Sequence, residues 1–292
     1  MPRHAIGDST IFYDIGEGKK DLAEIIRPGE QLHYSPVTIV EIAAKVTEKT
    51  FPKCKAAAKA IIDSGAKLLL DTQSHLTRLF GFELAKDPFD WSNAVKAIVQ
   101  APTVAALASG VIDRHEMVRR RVIISEALHW RETTYEMWHD ELIVLMRDKI
   151  PTFGAWWDAL PERRSKKVPK IKKKEQESVL KDLRSKSLLG ELILACHTRS
   201  FYGAVKPDVE NLPPELIAHL HDAIDNIDCY CKTYIEYVIR LLTEGMLPEP
   251  NDGGDLELFL YLTDDDHVLV TSDKRWLRLA DRAGYKHRVR KV

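Results

Sequence analysis

The stretch from residue 267 to residue 273, which reads HVLVTSD, places a run of apolar, β-forming residues directly before a serine and an acid. Such a run between polar residues predicts a short buried strand over 267–271. A helical pattern follows over 274–283, and Gly284 stands where a helix C-terminus favours glycine. We expect a last strand over 285–289, so Asp273 lies between a strand and a helix.

The N-terminal part shows the same alternation of short apolar runs and helical patterns. Strands are expected over 4–6, 32–35 and 67–70, and helices over 37–47 and 54–62. Strands that alternate with helices predict an α/β fold with a central, mainly parallel sheet covered on both faces, a three-layer arrangement.

The middle of the chain has a different, mostly helical pattern. Apolar residues recur every three or four positions over 216–241, and a second long helix is expected over 113–146. We therefore expect residues 72–248 to form a mostly α-helical region, and a further helix is expected over 255–262.

Composition excludes several classes of protein. The chain has 292 residues, 43 Lys and Arg against 44 Asp and Glu, and 45% hydrophobic residues, which is too apolar for a disordered chain. No apolar run reaches the roughly 18 residues of a membrane span, and no signal-peptide pattern follows the N-terminus. Only four cysteines occur, which favours reduced thiols. We expect a cytoplasmic protein with no membrane partner.

Acidic residues recur where predicted strands end or the following helices begin. Asp8 follows the first strand, and Asp273 follows the strand over 267–271. Glu41 lies in the second turn of a helix that Ser35 can cap, with Pro36 at its first position. Asp255 begins the helix over 255–262. Because the carboxyl ends of parallel strands share one edge, we expect these acids to converge there.

Converging carboxylates repel one another, and a divalent cation would remove that repulsion. Mg²⁺ and Mn²⁺ prefer carboxylate and water ligands. The four acids therefore predict a site for Mg²⁺ or Mn²⁺.

Each acid also has an ordinary structural interpretation. Asp8 could be a turn residue, with Asp14 as the ligand, and Glu41 a solvated helix position. Asp255 and Asp273 could cap helices, a role compatible with metal binding. The acidic run 264–266 is interpreted as a solvated loop.

The sequence contains no cysteine or histidine set with zinc-ligand spacing and no glycine-rich phosphate-binding loop. Two pairs, His219 with His221 and Cys229 with Cys231, are two residues apart on a predicted helix, so their side chains point in different directions. Cys196 and His197 have no partner at zinc spacing.

A basic segment lies within 161–178, with eight basic residues and no acid from 163 to 174. The simpler interpretation is a mobile, solvated linker. The alternative is an arm that binds nucleic-acid phosphates, beside the tryptophans at 156 and 157. Its candidate residues are Lys166, Lys167, Lys170, Lys172, Lys173 and Lys174.

Taken in order, these motifs resemble those of the PIN domain superfamily of metal-dependent nucleases. Asp8-Ser9-Thr10-Ile11 looks like the family's opening Asp-Thr-Asn motif, although Ser9-Thr10 departs from the commoner Thr-Asn. Residues 35–41 are similar to its Ser-Pro-x-x-x-x-Glu segment. Asp255 occupies the third acidic position, and residues 271–273 match the Thr-x-Asp motif. The resemblance covers 1–71 and 249–292, and implies a discontinuous PIN-like core with 72–248 as a large helical insertion.

The resemblance implies a metal-dependent endoribonuclease that hydrolyses RNA phosphodiester bonds with Mg²⁺ or Mn²⁺. The implied ligands are Asp8, Glu41, Asp255 and Asp273, with Asp252 as an additional ligand. Ser9, Thr271 and Ser272 are implied to orient water or a ligand carboxylate. The alternatives are a DNA or flap-structure nuclease of the same fold, and a non-catalytic RNA-binding scaffold. An inhibitory or activating protein partner and a homo-oligomer also fit this class.

Overall fold

The computed structural model describes residues 3–79, 91–109, 225–244 and 252–292. These residues contain the strands β1 (Arg3–Gly7), β2 (Glu30–Tyr34), β3 (Lys67–Leu68), β4 (His267–Thr271) and β5 (Val289–Lys291). The strands form one sheet in the order β3-β2-β1-β4-β5, and every neighbouring pair is parallel. The prediction of an α/β fold with a parallel sheet is therefore confirmed.

Helices connect the strands in the described part of the chain. The first group is α1 (Ser9–Gly16), α2 (Leu22–Ile25), α3 (Pro36–Ala44), α4 (Phe51–Asp63) and α5 (Thr72–Leu79). The second group is α6 (Trp91–Gln100), α7 (Val104–Ser109), α8 (Asp228–Glu244), α9 (Asp252–Glu257) and α10 (Lys274–Arg282). Three 3-10 turns cover Asp225–Ile227, Leu258–Tyr261 and Lys286–Arg288.

Buried residues lie on both faces of the sheet. Ala5, Leu32 and Val270 belong to a hydrophobic core shared with α1, α3, α4 and α6. Ile6 and Leu269 are buried on the other face, as the alternation of strand side chains requires. On the C-terminal side, α10 packs against α8 and β5. This arrangement fits a three-layer α/β fold.

At β1 the chain switches from adding strands on one side of the sheet to adding them on the other side. The chain leaves β1 to form β2 on one side, and returns much later to form β4 on the other side. In open parallel sheets, such a point leaves a crevice beyond the carboxyl ends of the two central strands, where ligands bind. The ends of β1 and β4 are therefore the expected position of a site on topology alone.

Gly16 lets the backbones of α1 and α4 approach closely. A Cβ atom at Gly16 would lie 2.5 Å from the carbonyl carbon of Ala56, and that atom belongs to rigid helix backbone. The contact fixes α1, whose first turn begins directly after Asp8.

Some predicted boundaries agree with the structure, and others are displaced. The helix predicted over 37–47 ends at Ala44, the one over 54–62 begins at Phe51, and the strand predicted over 67–70 ends at Leu68. The strand over 267–271 and the Pro36 start of α3 are confirmed, and Gly284 has the positive φ of 86° expected of a helix-terminating glycine. The helix predicted to start at Asp255 instead begins at Asp252 and continues from 258 as a 3-10 turn. The last strand is Val289–Lys291 rather than 285–289, because 286–288 form a 3-10 turn whose Arg288 side chain binds the carbonyl oxygens of Asp264 and His267.

Several predictions lie outside the described residues. They are the helix over 113–146, the start of the helix over 216–241, the basic segment 161–178 and the tryptophans at 156 and 157. Of the region assigned to the insertion, α6 packs against α3 and α4, and α8 packs against α10. The insertion itself stays a prediction.

Cys54, Cys229 and Cys231 are free thiols. Among the described residues, no helix has the length and apolar character that a membrane span requires.

Candidate functional site

The candidate site lies at the carboxyl edge of the sheet, where β1 and β4 end side by side. Gly7 at the end of β1 pairs with Val270 near the end of β4. Asp8 therefore follows one central strand, and Asp273 comes two residues after the end of the other. The end of β1 also accepts a hydrogen bond of 3.2 Å from Thr38 to the carbonyl oxygen of Gly7, which fixes α3 beside it.

Asp8 caps α1 and is held by two threonine hydroxyls. Its Oδ1 accepts hydrogen bonds from Thr10 Oγ1 at 2.6 Å and from the Ile11 amide at 3.1 Å. Its Oδ2 accepts a hydrogen bond from the hydroxyl of Thr271 on β4. The Asp8 side chain is buried. Thr271, predicted to orient water or a ligand carboxylate, contacts this carboxylate directly, and its role stays a prediction.

The surroundings of Asp8 disfavour its negative charge. Burial raises the pKa of Asp8 to about 6, and the charge of Glu41 adds to the rise. The hydrogen bonds from Thr10, Thr271 and the Ile11 amide act in the opposite direction but do not outweigh burial.

Glu41 lies on α3 with one carboxylate oxygen unsatisfied. The residue is 8% exposed, and its buried Oε2 has no hydrogen-bond partner among the residues that the structure describes. Burying such an oxygen costs free energy unless something compensates its charge. The Glu41 carboxylate acts electrostatically on both Asp8 and Asp255, so these three acids share one region.

Asp255 lies in the first turn of α9 and completes this group. Burial, followed by the charges of Glu41 and Asp8, holds the pKa of Asp255 well above its usual range, and the guanidinium of Arg275 only partly opposes the rise. The alternative that Asp255 caps its helix is wrong, because α9 begins three residues earlier, at Asp252.

Asp273 caps α10, as its alternative interpretation predicted. Its Oδ1 accepts a hydrogen bond of 2.7 Å from the Arg275 amide. Its own amide donates to Thr271 Oγ1 at 2.9 Å, so the same threonine contacts both Asp8 and Asp273. Thr271 therefore links the first and last acids of the predicted set.

Arg275 is the residue that the sequence analysis missed. Its Nη1 lies 2.6 Å from Asp252 Oδ1, its Nη2 lies 3.2 Å from Asp255 Oδ2, and its Nε lies 3.6 Å from Asp273 Oδ2. Its guanidinium also stacks over the Trp276 ring, 4.4 Å from the centroid. The local sequence gave no signal for these contacts, because the acids at 252 and 255 approach Arg275 only through the fold.

Asp252, predicted as an additional metal ligand, is bound by protein groups through both oxygens. Oδ1 accepts from Arg275, and Oδ2 accepts from the Tyr237 hydroxyl at 2.6 Å. The residue is 3% exposed. Asp252 thus joins α8, α9 and α10, while its role as a ligand stays a prediction.

The serines of the two motifs have different surroundings. Ser272 donates a hydrogen bond of 2.8 Å to Asp14 Oδ2, and Lys20 Nζ lies 3.9 Å from the same oxygen. Asp14, the alternative to Asp8, is therefore engaged by its own partners beside the site. Ser9 is buried at the first position of α1.

The four predicted acids form a loose group rather than a closed cage. In the part of the chain that the structure describes, one trio of ligand atoms lies within 4.8 Å of one another, and it belongs to Asp264, Asp266 and His267. That trio is at the start of β4, away from the acids that follow the strand ends. The interpretation of 264–266 as a solvated loop is confirmed, since Asp264 and Asp265 are exposed and Asp265 makes only a surface ion pair with Arg288 at 3.0 Å.

The acids at the carboxyl edge nevertheless suit a hard divalent ion. Within the described ranges Glu41 has a buried oxygen without a hydrogen-bond partner, and Asp8 and Asp255 are buried in the same region. Mg²⁺ is commonly bound through one or two carboxylates and retains several waters, so it does not need a closed protein cage. The donor set, which is entirely carboxylate at this edge, is of the type that Mg²⁺ and Mn²⁺ prefer.

The candidate phosphate-binding lysines from 166 to 174 lie outside the described residues. Comparison of the chain with protein-family models, curated proteins and solved structures found no match.

Proposed function

We propose that the chain is a PIN-like, metal-dependent endonuclease that hydrolyses RNA phosphodiester bonds at the carboxyl edge of its sheet. The observation that carries the proposal is the buried Glu41 oxygen, which has no hydrogen-bond partner among the described residues and lies close enough to Asp8 and Asp255 for their charges to interact. A protein gains nothing in stability from grouping such acids, so a cation is the simplest reason for the arrangement.

Asp8, Glu41, Asp255 and Asp273 would hold the divalent ion. When bound, the ion supplies positive charge that polarises a phosphate and lowers the pKa of a neighbouring water. The Thr10 and Thr271 hydroxyls orient the Asp8 carboxylate through hydrogen bonds. Thr271 Oγ1 also accepts a hydrogen bond from the Asp273 amide, which holds the start of α10 beside the site.

The preference for RNA over DNA rests on the resemblance of the four motifs. A DNA or flap-structure nuclease would use the same carboxylates, and a non-catalytic RNA-binding scaffold would retain the fold without the chemistry. These two alternatives are outcomes of the test below.

The test uses end-labelled single-stranded RNA and DNA of matching sequence, with Mn²⁺, Mg²⁺ or EDTA. We expect cleavage of RNA with either metal, loss of cleavage in EDTA, and a fall of at least about a hundredfold for Asp273→Asn, comparable to the loss of other electrostatic groups in active sites. Asp281→Asn is the matched control, because Asp281 lies on the same helix and is exposed.

Cleavage of DNA alone would favour the DNA nuclease. Binding of RNA without cleavage, by folded protein saturated with metal, would favour the scaffold. Equal cleavage by wild type and Asp273→Asn would remove the proposed site from the reaction.

A further inference from the structure

Arg275 reaches into the acidic group that the proposed function assigns to a metal ion. Three of its nitrogens face three acids, at 2.6 Å from Asp252, 3.2 Å from Asp255 and 3.6 Å from Asp273. We propose, on the basis of the proposed function, that Arg275 is the resting counter-ion of this site and that a divalent ion displaces its guanidinium from Asp255 and Asp273. The exchange would make metal binding and the Arg275 contacts mutually competitive.

The excess of negative charge around Asp255 is the reason to assign Arg275 the role of counter-ion. Asp255 lies among Glu41 and Asp8 as well as beside Asp252, and all four side chains are largely buried. A guanidinium among them lowers the electrostatic cost of folding without metal. The side chain of Arg275 is only 22% exposed, so its charge acts in a poorly solvated setting.

The three contacts of Arg275 are unequal, and the inequality indicates which of them a metal would break. The bond to Asp252 is the shortest, and Tyr237 holds the other oxygen of Asp252 in place. Trp276 supports the guanidinium from its ring face at 4.4 Å. The contacts to Asp255 and Asp273 are longer, so these two are the weaker ones.

A cation and a guanidinium that share one carboxylate repel each other at short distance. An ion that binds Asp255 must therefore weaken or break the contact between Arg275 and Asp255. Arg275 would keep Asp252 and Trp276 as its anchors, so the displacement requires only a local movement of the side chain.

The first test measures Mn²⁺ affinity by isothermal titration calorimetry for the full chain and its Arg275→Met variant. Without its competitor, the ion should bind about tenfold more tightly, since one charged hydrogen bond no longer has to be broken. Arg278→Met is the matched control, because Arg278 is exposed on the same helix and loses the same charge. Its affinity should stay within about twofold of wild type.

A second test needs only folded wild type and covers the case in which Arg275→Met does not fold. The Nε–H resonance of Arg275 is identified in an NMR spectrum by its loss in Arg275→Lys, and wild type is then titrated with Mg²⁺. We expect this resonance to shift with the same midpoint as metal binding. A resonance that stays unchanged up to metal saturation would overturn the inference.

The outcomes separate this inference from the proposed function. Wild type that cleaves RNA with metal, together with equal or weaker Mn²⁺ affinity in folded Arg275→Met, overturns the counter-ion role alone. Wild type that binds no divalent ion overturns both.

Discussion

At the scale of single residues, the surroundings of Glu41 are the main argument for the proposed metal site. Its Oε2 is buried without a hydrogen-bond partner in the described part of the chain, and its charge repels those of Asp8 and Asp255. The sequence placed Glu41 in the second turn of α3, because Ser35 and Pro36 mark the start of that helix, and Ser35 accepts the capping hydrogen bond from the Thr38 amide. Its lack of a partner is a property of the assembled site and could not be predicted from the sequence.

Glu41→Gln should therefore stabilise the metal-free protein and remove its response to metal. Relief of about 1 kcal/mol of repulsion corresponds to a rise in Tm of about 2–4 °C in EDTA. The rise in Tm that Mn²⁺ causes in wild type should be lost in this variant. Thermal denaturation with and without Mn²⁺ measures both effects. Glu48→Gln is the control, because Glu48 is exposed, and an equal metal response in wild type and Glu41→Gln would contradict the assignment.

A group of histidines lies on β1, β2 and β4, and the sequence analysis did not predict it. His4 Nδ1 and His33 Nε2 are 2.8 Å apart and share a hydrogen bond, while the His4 and His267 rings are in edge contact at 4.9 Å. The contact between His4 and His267 follows from strand register, since these two residues pair across β1 and β4. Burial, followed by the charges of His4, His267 and Lys67, lowers the pKa of His33 to about 4.

This histidine group should make the protein less stable in acid. A histidine whose pKa is lowered in the folded state stabilises it fully above the unfolded value of about 6.5. That contribution is lost progressively as the pH falls from about 6.5 to about 4. His33→Gln should lose less stability over this range than wild type, as urea denaturation at several pH values would measure. His287→Gln, at an exposed position, should behave as wild type, and parallel pH profiles for wild type and His33→Gln would contradict the prediction.

At the scale of elements, the prediction succeeded where local signals determine the boundary. The strand over 267–271, the start of α3 at Pro36 and the glycine after α10 each depend on residues next to one another in sequence. It failed at α9, which begins at Asp252 rather than at Asp255 and has Gly253 and Gly254 buried within it. It failed again at β5, where Arg288 turns toward the loop at 264 and 265, a contact formed by tertiary structure.

A buried ion pair holds the edge strand β5 to the rest of the sheet. Arg290 donates to both carboxylate oxygens of Glu30, at 2.9 Å and 2.7 Å, and to the carbonyl oxygen of Ile25 at 2.8 Å. Burial would raise the pKa of Glu30, but the hydrogen bonds from Arg290 and the Arg27 amide outweigh it, and the pKa is lowered. The Glu30 side chain is 3% exposed, so its charge depends on this partner.

Arg290→Met should destabilise the fold by about 3 kcal/mol, because it leaves the Glu30 carboxylate buried without its partner. The free energy of unfolding from urea titration measures the loss. Adding Glu30→Gln should recover part of it, since the buried charge is then removed. Lys291→Met, at an exposed position on the same strand, should change stability by less than about 0.5 kcal/mol. A similar loss for both single variants would contradict the role of the pair.

At the scale of the whole molecule, the two ends of the chain build one sheet. The first strand, β1, lies at the centre with β2 on one side and β4 on the other. The sequence predicted this association from the shared alternation of strands and helices at both ends, and the parallel sheet confirms it. The site needs both ends, because Asp8, Glu41 and Asp255 come from segments that meet only when the sheet is complete.

The most direct measurement is the position of Mn²⁺ in an anomalous difference map from crystals of the full chain grown or soaked with the ion. We predict a peak within coordination distance of the Asp8, Glu41 and Asp255 carboxylates, and its absence in crystals of Glu41→Gln. A peak only at Asp264, Asp266 and His267, or no peak at saturating Mn²⁺, would contradict a metal centre at the carboxyl edge of the sheet.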